Sequence, residues 1–115
     1  MYKRQGKSGL WHTVLTDAGS YEEVSGSAAI TAGILKGIRY GILDDSYLAC
    51  AWKAVEAILD NIDRDGTVLN VSGGTGMGYD ADHYKNILIA PMALSLIHIW
   101  SVHWYRSLCS GSCGI

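Results

Sequence analysis

Residues 27–43 read SAAITAGILKGIRYGIL, and the spacing of their side chains governs the reading of everything around them. Ile30, Ile34 and Ile38 recur at i, i+4 and line up as an apolar ridge at 3.6 residues per turn, with Lys36, Arg39 and Tyr40 on other faces. Ala29, Gly33, Gly37 and Gly41 form a second ridge of small residues. Glycine inside a helix costs roughly 1 kcal/mol against alanine, a cost that is offset where another helix approaches closely along the stripe. The segment predicts a helix over 27–43 suited to a larger helical assembly.

Asp44-Asp45-Ser46 follows at once and supplies side-chain acceptors for the free amides of a new first turn. From there Leu48, Ala51, Trp52, Val55, Ile58, Leu59 and Ile62 recur at helical spacing, while Lys53, Glu56 and Asp60 take the solvent side. A second helix over 46–62 is expected. The short link folds it back on the first as an antiparallel hairpin, with Ile30, Ile34 and Ile38 on one helix and Trp52, Val55 and Leu59 on the other mainly buried. Beyond it, residues 63–66 read as a turn, 67–71 as a short strand and 73–79 as a glycine-rich loop. Upstream, GLWHTVLT at 9–16 reads as a short extended segment and DAGS at 17–20 as a turn.

Composition narrows the classes of function. The 115 residues suit one small domain. A net charge of −2 without a basic stripe excludes a nucleic-acid partner. Residues 87–102 are apolar, but Pro91 and His98 interrupt them and the run is too short to span a bilayer, which excludes a membrane partner. Met1 to Ser8 is polar and no secretory h-region follows. Cys50 sits in a helical pattern, and Cys109 and Cys113 stand near the end without companion ligands; neither a disulfide framework nor a metal site follows. All 11 acidic residues lie before position 83, and beyond Lys85 the one formal charge is Arg106. Such a break marks stretches of different origin or role.

Three local patterns touch on chemistry. Asn61-Ile-Asp63-Arg-Asp65-Gly66-Thr-Val68 has the alternating oxygens and central glycine of half an EF-hand loop. Its twelfth position is Ser72 rather than a bidentate glutamate, so an ordinary Asp-Gly turn is the stronger reading. Gly73-Gly-Thr-Gly-Met-Gly78 has the spacing of neither a dinucleotide fingerprint nor a P-loop and reads as a turning loop. Trp11-His12 lies beside a turn, and Glu23-Val-Ser25-Gly-Ser27 stands at a helix start. An indole face can stack on a sugar ring and helix-start amides can receive an anion. A core tryptophan, and a glutamate interacting with its own first-turn amides, are the plainer alternatives and the favoured ones on these residues alone.

Taken in order, these strings resemble a known family. Gly9-Leu-Trp-His-Thr-Val-Leu, Tyr21-Glu-Glu-Val-Ser-Gly-Ser-Ala28 and Lys36-Gly-Ile-Arg39 resemble glycoside hydrolase family 105. So do Val71-Ser-Gly-Gly-Thr-Gly-Met-Gly78, Asp82-His-Tyr84-Lys85 and Ala90-Pro91. These are unsaturated rhamnogalacturonyl hydrolases, related to the family 88 unsaturated glucuronyl hydrolases. The resemblance covers about residues 5–93. It implies an all-α fold, with this chain as a C-terminal fragment of an (α/α)6 barrel: a helical hairpin plus loops. It also implies a cytoplasmic parent enzyme with no cofactor. In the implied reaction an aspartate protonates the C4=C5 bond of an unsaturated uronic acid, water adds at C5, and the hemiketal opens to release the neighbouring sugar. One proton-passing group performs this, in place of the carboxylate pair of most glycosidases.

No segment here matches the surroundings of that aspartate, so no catalytic residue is assigned and the chain alone is expected to be inactive. The matching positions that border the family's pocket are Trp11, His12, Glu23, Ser25 and Ser27, with Tyr84 and Lys85 as weaker candidates for contact with the unsaturated uronyl oligosaccharide. The resemblance stops after Ala93. There Leu94-Ser-Leu-Ile-His-Ile99 matches one reading frame of a common transposon-end sequencing adapter. The chain therefore divides into a partial hydrolase domain over 1–93 and a non-native tail over 94–115. Two rivals stand beside this reading: a small helical binding module without catalysis, and a calcium-binding protein with a degraded EF-hand.

Overall fold

The computed structural model describes residues 2–92. The expected non-native tail, with Cys109 and Cys113, lies outside them. The elements in chain order are strand β1 (Trp11–His12), strand β2 (Glu22–Glu23), helix α1 (Val24–Arg39), helix α2 (Leu48–Asp60), strand β3 (Val68–Ser72), the short helix α3 (Ala81–Lys85) and strand β4 (Ile89–Met92). Tyr2–Arg4 and Asp45–Tyr47 are single 3-10 turns.

The two long helices confirm the periodic reading and shift its boundaries. Helix α1 starts three residues early because Glu23, in extended conformation, caps it by accepting from the amides of Ser25 and Gly26. It stops at Arg39 rather than 43. Gly41 adopts φ +69°, and the amides of Gly41 and Ile42 turn back to the carbonyls of Ile38 and Gly37 at 2.9 Å each. That is a Schellman motif, which requires the left-handed backbone that glycine adopts without penalty. Asp44 caps the 3-10 turn through the Ser46 amide at 2.8 Å, and α2 begins after it at Leu48.

The expectation of an all-α fragment of an (α/α)6 barrel is corrected by two small antiparallel sheets. Strand β1 pairs with β2, Trp11 opposite Glu23, and β3 pairs with β4, Ser72 opposite Ile89. Two-residue strands carry no alternation to read, and β4 contains Pro91. The strand expected over 67–71 is present as β3. A bulge interrupts its pairing between Val68 and Val71, where Asn70 takes φ 54° and its side-chain Nδ2 donates to Asn61 Oδ1 at 2.7 Å. Asparagine tolerates this left-handed backbone better than most side chains.

Two apolar clusters hold these elements. One packs Leu10, Val24, Ala57 and Ile58 against Val68 and Val71 of β3. The other joins Trp11, Ile34 and Leu35 to Ala51 and Ala54 of α2. Alanines at the α1–α2 contact let the helices approach closely, so α2 buries Ala51, Ala54, Ala57 and Ile58. The expected Trp52 and Val55 face is half-buried and Leu59 is 47% exposed. Nor does the small-residue ridge of α1 meet a helix among the described residues. A side chain at Gly33 would meet nothing within 4 Å, and Gly37 lies against the Leu43 side chain.

These burial differences make a direct test. Ile58→Ala should lower unfolding free energy by about 2–5 kcal/mol through lost burial and a cavity, whereas the adjacent Leu59→Ala should cost well under that because its side chain already meets water. Urea midpoints for the two variants check the assignment; equal losses would contradict it.

Candidate functional site

Five of the residues singled out by the sequence, Trp11, His12, Glu23, Ser25 and Ser27, meet where β1, β2 and α1 join; Tyr84 and Lys85 lie apart on α3. Ser27 is buried and its hydroxyl bridges two strands: it accepts from the Trp11 amide at 2.8 Å and donates to the Glu23 carbonyl at 2.6 Å. Trp11 is 1% exposed and belongs to the core, so its indole offers no open face to a sugar in this chain.

Glu23 is 8% exposed and its carboxylate is fully used. Oε1 accepts from the Ser25 amide at 3.1 Å, the Ser25 hydroxyl at 2.6 Å and the Ser72 amide at 3.1 Å. Oε2 accepts from the Gly26 amide at 2.5 Å. A buried carboxylate is costly unless donors surround it, and here they come from α1 and β3 together. The amides that could have cradled an external anion are filled by the chain's own carboxylate. A second tie lies alongside, between the Tyr21 and Ser72 hydroxyls at 2.8 Å.

His12 is held from the other side. Its Nδ1 lies 2.6 Å from the Ser20 carbonyl, a pairing in which Nδ1 carries the proton. In the neutral ring Nε2 is then an acceptor, 3.9 Å from Glu22 Oε1. Ser20 is itself fixed, its hydroxyl donating to the Asp17 carbonyl at 2.7 Å.

Tyr84 and Lys85 belong to α3. The Tyr84 hydroxyl accepts from the Gly78 amide at 3.2 Å, and the Tyr84 ring meets His83 edge to face at 5.2 Å. Lys85 forms a close ion pair with Asp17 Oδ2 and a longer one, 3.5 Å, with Asp82. The Lys85 ammonium, helped by the Gly19 amide, holds the Asp17 carboxyl below its ordinary 3.8, and Asp17 raises Lys85 above 10.5. This attachment is complete above the ordinary carboxylate range and is lost as pH falls through the lowered Asp17 value. Sequence reasoning singled out neither Asp17 nor Ser72. Asp17 showed as a turn former alone, and the Ser72–Glu23 contact spans 49 positions.

A separate open groove of about 560 Å3 lies between the β1–β2 side and α2, with Tyr21, Glu22, Lys53, Glu56 and Asp60 among its lining, and takes in none of the seven predicted positions. Three carboxylates against one ammonium make it a poor host for an anionic sugar. The half EF-hand resolves as a turn in which Asp65 Oδ1 accepts the Thr67 amide at 2.9 Å. Among the described residues no group of three or more His, Cys, Asp or Glu side chains could hold a metal ion, and no helix is long and apolar enough to cross a membrane.

The Ser27 bridge yields a prediction. Ser27→Ala strands a buried amide at Trp11 and should cost about 1–3 kcal/mol, with Ser25→Ala costing less because the Ser25 amide keeps its bond to Glu23. Thermal melts followed by near-ultraviolet circular dichroism compare them; Ser27→Ala melting with the parent would contradict the bridge.

Comparison with known proteins gives the chain's family. The unsaturated rhamnogalacturonyl hydrolase YesR of Bacillus subtilis (strain 168) is 40% identical over 87 residues, 76% of this chain and 24% of that protein. The crystal structure of a possible member of the GH105 family from Klebsiella pneumoniae superposes with a TM-score of 0.80 at 37% identity, covering 91% of this chain and 28% of the other. A possible GH105 member from Salmonella enterica gives 0.81 and 36%, covering 92% and 29%. The chain thus spans about a quarter of the length of these relatives. The model of Glycosyl Hydrolase Family 88 matches residues 1–100. The chain belongs to Glycosyl Hydrolase Family 88.

Proposed function

We propose that this chain is the C-terminal part of a hydrolase that removes unsaturated (4,5-dehydro) uronic acid from pectin-derived oligosaccharides such as unsaturated rhamnogalacturonan disaccharide, by hydration of the C4=C5 bond. The observation that carries the reading is the 40% identity to an unsaturated rhamnogalacturonyl hydrolase over 87 residues. Residues 1–93 form the partial hydrolase domain and 94–115 the non-native tail.

The seven candidate positions divide by what their atoms are free to do. His12, Ser25 and Tyr84 meet the sugar: His12 with Nε2 as an acceptor for a ring hydroxyl, Ser25 and Tyr84 with hydroxyl groups. Trp11, Glu23 and Ser27 hold those groups in place, and Lys85 is assigned below. The proton donor comes from the part of the parent protein preceding this chain. In keeping with that, Glu23 is occupied by four donors, Asp17 by Lys85, and Asp44, Asp65 and Asp80 by the amides they cap. None is placed as an available acid.

Two measurements test this. Addition of an unsaturated galacturonyl-rhamnose disaccharide to the purified chain should shift the amide resonances around His12, Ser25 and Tyr84. Its ultraviolet absorbance, from the C4=C5 enol ether, should persist because no turnover occurs. Resonances that stay in place would count against the sugar site and favour a binding module of another kind; turnover would refute the missing acid.

A further inference from the structure

The β3–β4 hairpin does not close with a tight turn. It leaves the ladder at Gly73, whose amide donates to the Leu88 carbonyl at 2.8 Å, and residues 73–88 form a long excursion that carries α3. The excursion is ordered from within. Asp80 caps α3 by accepting the His83 amide at 2.9 Å, and Gly78 lies so close to the His83 ring that a Cβ there would come within 2.2 Å of Cδ2. Met77 and Tyr79 stand 95% and 107% exposed.

Its attachments to the body sit at its two ends. At the start, Ser72 is tied to Glu23 and Tyr21. At the far end Lys85 pairs with Asp17, the one ion pair among the described residues that joins the excursion to the body. Asp17 is fixed from its own side by the Gly19 amide at 2.8 Å and connects through Ser20 to His12. The excursion is thus tied, through Lys85, to the loop whose Ser20 holds His12, while its base adjoins Ser72 and the Glu23 carboxylate that holds Ser25.

We propose that residues 73–88 form a strap along the sugar-facing side of the chain, and that Lys85 is a positioning residue that acts through Asp17 to hold the strap rather than a ligand to the sugar. The sugar half of this inference rests on the function proposed above; the latch half does not. An ammonium in contact with a carboxylate on another loop has its donors directed at that partner, and its contribution is geometric: it sets where Tyr84 and the exposed Tyr79 ring stand relative to His12. A partly exposed pair of this kind is weak, so its loss shifts the open fraction of the strap by a small factor.

Limited chymotrypsin digestion of the 115-residue chain, with mass-spectrometric counting of the cut after Tyr79, reads that fraction. The cut after Tyr40, at the end of α1, serves as the internal reference. Lys85→Gln and Asp17→Asn should each raise the Tyr79 rate by about two- to five-fold, the range of an exposed ion pair, without changing the Tyr40 rate. The double exchange Asp17→Lys with Lys85→Asp should return it towards the parent value, which a merely structural role for either side chain would not do. Single variants cut like the parent, or an exchange that fails to rescue, overturn the latch. In the parent chain the unsaturated galacturonyl-rhamnose disaccharide should slow the Tyr79 cut. A disaccharide that shifts the His12 and Ser25 resonances yet leaves the Tyr79 rate unchanged overturns the sugar-facing placement. One that shifts no resonance overturns the proposed function and with it the sugar half of this inference, while charge-exchange rescue still upholds the latch.

Discussion

A buried carboxylate tolerates burial only where donors converge on it, and Glu23 meets that condition by drawing three elements to one point. Its side chain closes the N-terminus of α1 and reaches on to the Ser72 amide at the end of β3. Its backbone carbonyl receives Ser27, which in turn holds β1 through the Trp11 amide. Shorter capping side chains such as serine or aspartate satisfy first-turn amides; the extra methylene of glutamate adds reach towards a second element. The same carboxylate decides what the site can be. The first-turn amides are already occupied by this carboxylate, so under the proposed function recognition of an anionic sugar would fall to His12 and the hydroxyls of Ser25 and Tyr84.

Much of this was legible in the residues. Ile30, Ile34 and Ile38 marked α1, and Leu48 through Ile58 marked α2, because helical burial repeats on a period that a single sequence displays. The Glu23 cap was readable from its place before Val24-Ser25-Gly26. The end of α1 was misplaced because Ile42 continues the apolar pattern beyond Gly41, and the left-handed turn there overrides it. Strand β3 was legible at 67–71 and β1 lies inside the extended segment read at 9–16, but β2 and β4 were hidden: two residues cannot alternate, and β4 contains Pro91. Trp11 illustrates the limit of reading side-chain type alone: the residues favoured a core indole over a sugar-stacking one, and packing against Ile34, Leu35, Ala51 and Ala54 places it in the core. Pairings such as Lys85–Asp17 and Tyr21–Ser72 join distant segments and left no local trace.

The family membership and the short span of the chain make one consistent account. The unit matches about a quarter of its relatives' length, and the small-residue ridge of α1 has open space beside Gly33. Ser25 is held by Glu23, His12 by the Ser20 carbonyl and Tyr84 by the Gly78 amide, so their geometry is set within this unit.

Amide hydrogen exchange at Ser72 tests the role of Glu23 most directly. In the parent chain the Ser25, Gly26 and Ser72 amides should exchange slowly. In Glu23→Ala, Ser72 should lose its protection while Ile34 and Leu35, in the middle of α1, keep theirs. A Ser72 amide that exchanges freely in the parent, or that stays protected once the carboxylate is gone, would show that Glu23 is a local helix cap and that something else positions β3.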